Sequence, residues 1–168
     1  MSRGLGDVYK RQKINEVRAG LIKAFINRKA RLNGDKEEIT MSLDKENKNP
    51  AYLCGRLFAV LEKIQLEATD VKLNRTIKDA YFSSASSRPA LIMPRLIDLS
   101  NYHLRKLKEG RAIDFSKLIN EIMGKIKDSL PTNLSIMEKG KFQLGYFQQN
   151  KDFFAEQNKN EEPETVNE

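Results

Sequence analysis

Apolar residues recur every three or four positions along most of this chain, which is the period of an amphipathic α-helix. The clearest example is the segment 49–65. Asn49 and Pro50 predict its start, because asparagine caps free N–H groups and proline in a first turn forfeits no hydrogen bond. The apolar positions behind them share one helical face: Leu53, Leu57, Leu61 and Ile64. The pattern predicts a buried helix over residues 50–69.

A second stripe of small residues runs along the same helix. Ala51, Gly55 and Ala59 are four residues apart, and a glycine inside a helix costs about 1 kcal/mol relative to alanine, so it usually serves close packing. The stripe therefore predicts a neighbouring helix whose backbone approaches closely. Arg56 and Lys63 lie off the apolar stripe and predict a basic flank.

Similar periodicity predicts the other helices. The first expected helix begins near Ile14 and is ended by Asn33-Gly34, and the next covers residues 74–83. Further helices are expected from Pro94 to Gly110, from a cap at Asp114 to Leu130-Pro131, and from a Ser135–Glu138 capping box onward. No alternating strand pattern competes with these. The predicted fold class is all-α, an antiparallel bundle of five or six helices.

Charge is the second informative property. The chain has 30 Lys and Arg residues against 23 Asp and Glu, a formal net charge of +7. Residues from Ala155 onward carry a net charge of −4, so the remaining chain carries +11. This excess fits a polyanionic partner, because lysine and arginine release counterions when they neutralise phosphates. A basic surface that serves only solubility explains the charge equally well.

Residues suited to catalysis are sparse. His103 is the only histidine and Cys54 the only cysteine, which excludes histidine-rich metal sites, CxxC metal sites and an internal disulfide. No glycine-rich phosphate loop occurs. A carboxylate-only metal site from Asp79, Asp98 or Glu121 stays open, although their spacing does not promote one. We expect a non-enzyme without cofactor or metal.

Three blocks of sequence, taken in order, resemble a known family. They are the segment 49–65, the segment 74–86 followed by Pro89 and Pro94-Arg95-Leu96, and the segment 142–149. Together they are similar to the C-terminal helical region of the large subunit of the type I-C CRISPR interference complex, Cascade. In that family the region is also made as a separate small subunit by internal translation, and a chain of this length is similar to that product.

The resemblance and the composition predict three parts of the chain. Residues 1–12 have two glycines, mixed charge and no apolar period, and are interpreted as a non-family, artefactual segment. Residues 13–154 form a helical domain similar to the small subunit. Residues 155–168 are polar and acidic and are expected to be disordered. No apolar run approaches the ~18 residues that span a bilayer and no signal peptide is apparent, so we expect a cytoplasmic location.

The resemblance implies a structural subunit that binds nucleic acid. In that family, copies line the belly of Cascade and stabilise the R-loop, in which guide RNA pairs with the target strand. The implied partners are the backbone and large subunits of Cascade, neighbouring copies of itself, single-stranded DNA and the guide RNA–DNA heteroduplex. Such a subunit needs only sequence-independent contacts to phosphates of the displaced non-target strand.

The candidate contacts are cations that flank the apolar stripes of the middle helices. They are Arg56, Lys63, Arg75, Lys78, Arg88, Arg95, Arg105 and Lys106. Only Arg56 falls in a well-matched block, and the others rest on charge. The rings of Tyr81, Phe82, Tyr146 and Phe147 lie at core spacing, which favours core filling over base stacking.

Two other functions compete with nucleic-acid binding. One is a purely protein-binding adaptor within a larger complex, whose basic faces meet acidic partner surfaces. The other is a helical nuclease or another enzyme, which the absence of catalytic motifs disfavours. Salt-dependent binding to single-stranded DNA separates the first of these from a nucleic-acid binder.

Overall fold

The chain folds as an all-α helical bundle in a computed structural model. The structure describes residues 42–69, 75–126 and 129–161, with the side chains described to residue 156, together with positions 13, 17, 20–22, 24 and 28. Five helices lie in the three continuous ranges: α1 (Pro50–Glu67), α2 (Ile77–Ala85), α3 (Pro89–Leu104), α4 (Glu109–Lys125) and α5 (Ile136–Glu161). The described residues contain no strand. The predicted fold class is confirmed.

The helix predicted from Ile14 to Asn33-Gly34 lies largely outside the described residues, and the positions described there are helical. None of the helices within the described ranges combines the length and the apolar character needed to cross a bilayer.

Helix α1 is the central element, and each of the other four helices packs against it. It starts where the sequence predicts: Oδ1 of Asn49 accepts hydrogen bonds from the N–H groups of Ala51 and Tyr52, at 3.1 and 3.3 Å. Every residue of the range 51–65 is buried except the half-buried Lys63. A helix that is buried on all faces is mostly apolar, and α1 is so except for the buried polar residues Arg56, Glu62 and Gln65.

The core is organised around the ring of Phe58 on α1. Its centroid lies 5.5 Å from that of Phe82, and 6.0 Å from those of both Phe142 and Tyr146, in edge-to-face arrangements. Such geometry lets the positive ring edge meet the negative ring face. The prediction that Phe82, Tyr146 and Phe147 fill the core agrees with their burial, because Tyr146 and Phe147 are buried and Phe82 packs against the cluster.

Two glycines allow α1 and α5 to approach at backbone distance. A Cβ on Gly55 would collide with the main-chain carbonyl of Phe142, and a Cβ on Gly145 would collide with the carbonyl of Tyr52. The small-residue stripe therefore has the predicted role of an interhelical contact.

Buried hydrogen bonds also join α1 to α5. The pairs are Tyr52 Oη to Gln148 Oε1 at 2.5 Å, Arg56 Nε to Gln149 Oε1 at 3.0 Å, and Tyr146 Oη to Glu62 Oε2 at 2.5 Å. Burial raises the pKa of the Glu62 carboxyl, and the hydrogen bond from Tyr146 opposes that rise. Each such bond contributes only about 1 kcal/mol net, but an unpaired buried group would cost more. These bonds fix the register of the two helices.

Several helix boundaries differ from the predicted ones. Helix α3 starts at Pro89 and contains Pro94 in its interior, whereas the sequence predicts a start at Pro94. Both prolines suit a first turn, and burial of Met93 and Leu96 beside Pro94 carries the helix through a residue that lacks an N–H. Helix α4 starts at Glu109 rather than at Asp114.

Helix α2 starts after Thr76, whose side chain and that of Asp79 form a capping box, so its span 77–85 lies slightly beyond the predicted 74–83. Gly110 falls in the first turn of α4, so it does not close α3.

The start of α5 is as predicted, but its end is not. The N–H of Ser135 donates to Oε2 of Glu138 at 2.7 Å, and the N–H of Glu138 donates to Oγ of Ser135 at 3.3 Å, which completes the expected capping box. The helix then continues to Glu161, beyond the predicted boundary at residue 154. The polar residues that suggested disorder include good helix formers such as Glu, Gln and Lys, and no proline interrupts them before Pro163. Residues 162–168 lie outside the described ranges.

Candidate nucleic-acid interface

One surface of α3 combines exposed cations with exposed apolar and aromatic side chains. We define the α3 face as Arg88, Leu91, Arg95, Leu99, Tyr102 and Lys106, all of which are exposed. From Leu91 to Tyr102 the members are three or four residues apart, so they lie along one side of the helix. From Arg88 to Lys106 the face extends about 27 Å at 1.5 Å per residue. It forms a line of exposed residues that includes three cations.

Two cations of this surface lie over aromatic rings. The guanidinium carbon of Arg95 is 5.8 Å from the ring centroid of Tyr81, and Nζ of Lys106 is 4.4 Å from that of Tyr102. These distances lie in the range of cation–π attraction, which limits the motion of a long side chain without neutralising its charge. Both cations therefore stay available to an anionic ligand.

The charge of the surface is predominantly positive. Asp98 is the single acidic residue within α3. Burial and, to a smaller extent, the neighbouring Lys106 lower the pKa of His103, so its imidazole is neutral at pH 7 and adds no charge. Proteins that bind single strands without reading sequence combine positive charge along the strand with aromatic side chains on which bases stack, and the α3 face offers cations and the ring of Tyr102.

Five of the eight sequence-predicted contact residues are exposed. They are Arg75, Arg88, Arg95, Arg105 and Lys106. Arg95 lies within α3, Arg88 directly precedes the helix, and Arg105 and Lys106 follow its last residue, so the structure places these four on or beside the α3 face. Arg75 lies apart, before the capping residue of α2. Contact between these residues and nucleic acid stays a prediction.

The position of Arg56 corrects the sequence interpretation. The sequence predicts an exposed basic flank, yet Arg56 is 0% exposed. Its Nε donates to Oε1 of Gln149 on α5 at 3.0 Å. The residue lies on the side of α1 that α4 and α5 cover, and α1 has no face open to solvent. Periodicity failed here because a basic residue off the apolar stripe is expected at a surface, and this helix is enclosed. Arg56 is therefore not part of an exposed basic flank.

The side chains of Lys63 and Lys78 are half-buried, and each contacts another side chain within the fold. Nζ of Lys63 lies 3.4 Å from a carboxylate oxygen of Glu67, which also binds Arg111 through two hydrogen bonds. Nζ of Lys78 lies 5.0 Å from the ring centroid of Tyr146. Neither residue belongs to the α3 face, and their intramolecular contacts make both weaker candidates than Arg95 or Lys106.

The α3 face also contains residues that sequence reasoning missed. Tyr102 is 57% exposed, and Leu91 is 68% exposed. Their spacing from Arg95 was the available signal, since residues 91, 95, 99 and 102 repeat with the same helical period as the buried residues 89, 93, 96 and 100 but on a different side of the helix. Treating the apolar residues of this helix as core candidates concealed the second stripe.

The described residues give little support for metal binding or for a nucleophilic cysteine. Across residues 42–69, 75–126 and 129–156, no cluster of His, Cys, Asp or Glu side chains is arranged to hold a metal ion. Cys54 is fully buried, and burial raises the pKa of its thiol to about 12. Such a thiol is unreactive at neutral pH, because only the thiolate is a good nucleophile.

Comparison with known proteins places the chain in a class and then in a family. The class is that of the CRISPR-associated proteins. The family model described as CRISPR-associated protein Cas_Csd1 matches residues 2–154, and the chain therefore belongs to that family. No curated protein matches the sequence. The family assignment made from the sequence is confirmed. The matched range starts at residue 2 and so gives no support for setting residues 1–12 aside as a non-family segment.

Proposed function

We propose that this chain is a non-catalytic subunit of a type I-C Cascade complex that binds the backbone of the displaced non-target strand and stabilises the R-loop. Membership of a CRISPR-associated family supports a role in such a complex. The observation that carries the nucleic-acid role is the α3 face. Its exposed cations follow one line, and two of them, Arg95 and Lys106, lie over aromatic rings.

The chemistry of the α3 face suits sequence-independent binding. Its cations neutralise phosphates, and the exposed ring of Tyr102 offers a surface on which any base can stack. In a guide-dependent complex the sequence is read by base pairing, so a subunit that holds the displaced strand needs no base-specific contacts. One side of a single helix forms no groove by itself, so a long groove requires neighbouring subunits. We propose the backbone and large subunits of Cascade and further copies of this chain as those neighbours, in the cytoplasm.

The test is R-loop formation by the assembled complex as salt is raised. For single strands the slope of log affinity against log salt is about −0.7 per neutralised phosphate. A variant with Arg88, Arg95 and Lys106 all changed to alanine is expected to flatten the slope by about 2 units and to form fewer R-loops, provided each cation neutralises one phosphate. The matched control changes three exposed lysines outside α3 to alanine: Lys48, Lys117 and Lys151. It removes the same charge and should leave the slope near that of the wild type.

The result also decides between this function and a protein-binding adaptor. Exposed Leu91 and Leu99 on the α3 face favour the adaptor, because apolar side chains commonly anchor protein contacts. If the triple variant forms R-loops with the wild-type salt slope, the α3 face does not bind the strand. Loss of complex assembly on changing Leu91 and Leu99 to serine would then establish the adaptor function.

A further inference from the structure

Arg56 is a buried cation whose hydrogen-bonding capacity is mostly unused. Arginine has five N–H donors. The one on Nε binds Gln149, whereas Nη1 and Nη2 have no hydrogen-bond partner. A carboxylate oxygen of Glu121 lies 4.0 Å from Nη2, beyond hydrogen-bond distance, and the same oxygen accepts a 2.9 Å hydrogen bond from Lys125. Buried charged donors of this kind require an acceptor.

A cavity adjoins this arginine. It has a volume of about 240 Å³ and lies between α1, α4, α5 and the segment that contains Lys45. The apolar part of its wall comes from Leu43, Phe115, Leu118 and Phe153, and Gln149 lies beside Arg56. One water molecule needs only about 10–15 Å³, so the cavity has room for a side chain of another molecule.

The chemistry of the cavity favours a carboxylate as the ligand. With Nε bound to Gln149, the free Nη1 and Nη2 present the parallel donors that match the two oxygens of a carboxylate. Three further acidic residues, Asp114, Asp152 and Glu156, line the same cavity. They would repel a strand that brings a series of phosphates. A single carboxylate meets less of that repulsion than a series of phosphates does, and the cations of Lys45 and Arg111, which line the same cavity, offset part of it.

We propose that this cavity, the Arg56 pocket, binds the side chain of an aspartate or glutamate from a partner protein, with Arg56 donating from Nη1 and Nη2. Phe115 and Phe153 pack against the aliphatic part of the inserted side chain, and the acidic lining residues favour a partner with a cationic residue nearby. Glu121 competes for Arg56 and is the group that the incoming carboxylate displaces. The proposal does not depend on nucleic-acid binding, because the pocket and the α3 face share no residue.

The test uses a blocked glutamate, acetyl-glutamate-amide, as the probe and its glutamine analogue as the neutral control. Binding is followed by NMR through the Nε–H signal of Arg56 and the side-chain amide signals of Gln149. We expect saturable shifts with the glutamate compound and none with the glutamine compound or with inorganic phosphate. Arg56→Lys should weaken binding about tenfold, since lysine lacks the paired donors.

A second variant keeps the proposal testable if Arg56→Lys does not fold. Glu121 is largely exposed, so Glu121→Gln should fold and should bind the probe about fivefold more tightly, because a competing unit charge near 4 Å is removed. Glu109→Gln, at an exposed position of the same helix, is the control and should change nothing. Absence of saturable shifts, equal binding of the glutamine analogue, tighter binding of phosphate, or an unchanged affinity in Glu121→Gln would each overturn the proposal.

Discussion

Gly55→Ala tests the close crossing of α1 and α5 with the smallest change available. In a helix interior the substitution alone should stabilise by about 1 kcal/mol. Here the added methyl group would collide with the carbonyl carbon and oxygen of Phe142, and both belong to the main chain. A main-chain carbonyl cannot rotate out of the way as a flexible side chain can, so the helices must separate. The collision should therefore outweigh the gain in helix propensity.

The magnitude follows from these opposing contributions. Overpacking a well-filled core costs typically 1–3 kcal/mol, and the backbone contact places Gly55→Ala near the upper end. After the propensity gain of about 1 kcal/mol, a net loss of about 2 kcal/mol remains. For a chain of this size each kcal/mol corresponds to roughly 2–4 °C in Tm. We expect the Tm to fall by about 4–8 °C.

Gly124→Ala is the matched control, because a Cβ at that helical position meets no atom within 4 Å. It should raise the Tm slightly or leave it unchanged. The assay is thermal and urea unfolding of both variants, followed by circular dichroism at 222 nm. If Gly55→Ala is as stable as Gly124→Ala, the two helices do not cross at backbone distance, and the packing described for α1 is wrong.

Three further predictions concern buried or capping groups. The pKa of the Glu62 carboxyl is raised in the folded chain, so as pH rises the carboxyl loses its proton first in the unfolded chain, and the free energy of unfolding falls above the ordinary carboxyl pKa of 4.5. In urea unfolding, Glu62→Gln should therefore become more stable relative to the wild type between pH 5 and pH 8. A stability difference between variant and wild type that does not change with pH would contradict this. Cys54 should resist iodoacetamide at pH 8 until denaturant is added, and rapid labelling of the native chain would show an opening of α1. Asn49→Ala should lower the free energy of unfolding by about 1 kcal/mol through loss of the cap of α1, and an unchanged urea midpoint would contradict that role.

The sequence predicted the fold well where one periodicity dominated. The start of α1, its small-residue stripe and the capping box at Ser135 were all readable, because each depends on local chemistry that few alternatives satisfy. The start of α3 was not, since Pro89 and Pro94 satisfy the same local rule and only tertiary packing selects between them.

The candidate site was less predictable than the fold. Charge identified Arg88, Arg95 and Lys106 as cations but could not show that they follow one face of α3. Arg56 was misplaced because burial of a charged residue depends on helices more than fifty positions away in sequence. The exposed ring of Tyr102 was missed because an aromatic residue in an amphipathic helix is usually assigned to the core.

The packing of α1 against α5 also affects how the chain can fold during translation. Phe58 leaves the ribosome well before Phe142 and Tyr146, its ring partners at the other end of the chain. Translation at about 5–20 residues per second leaves α1, the most buried helix of the fold, without its main cover for several seconds. During that interval only α2, α3 and α4, or chaperones, can cover the apolar surface of α1. A premature stop before residue 142 would release a polypeptide that cannot close its own core, and such a product is a natural substrate for proteolysis.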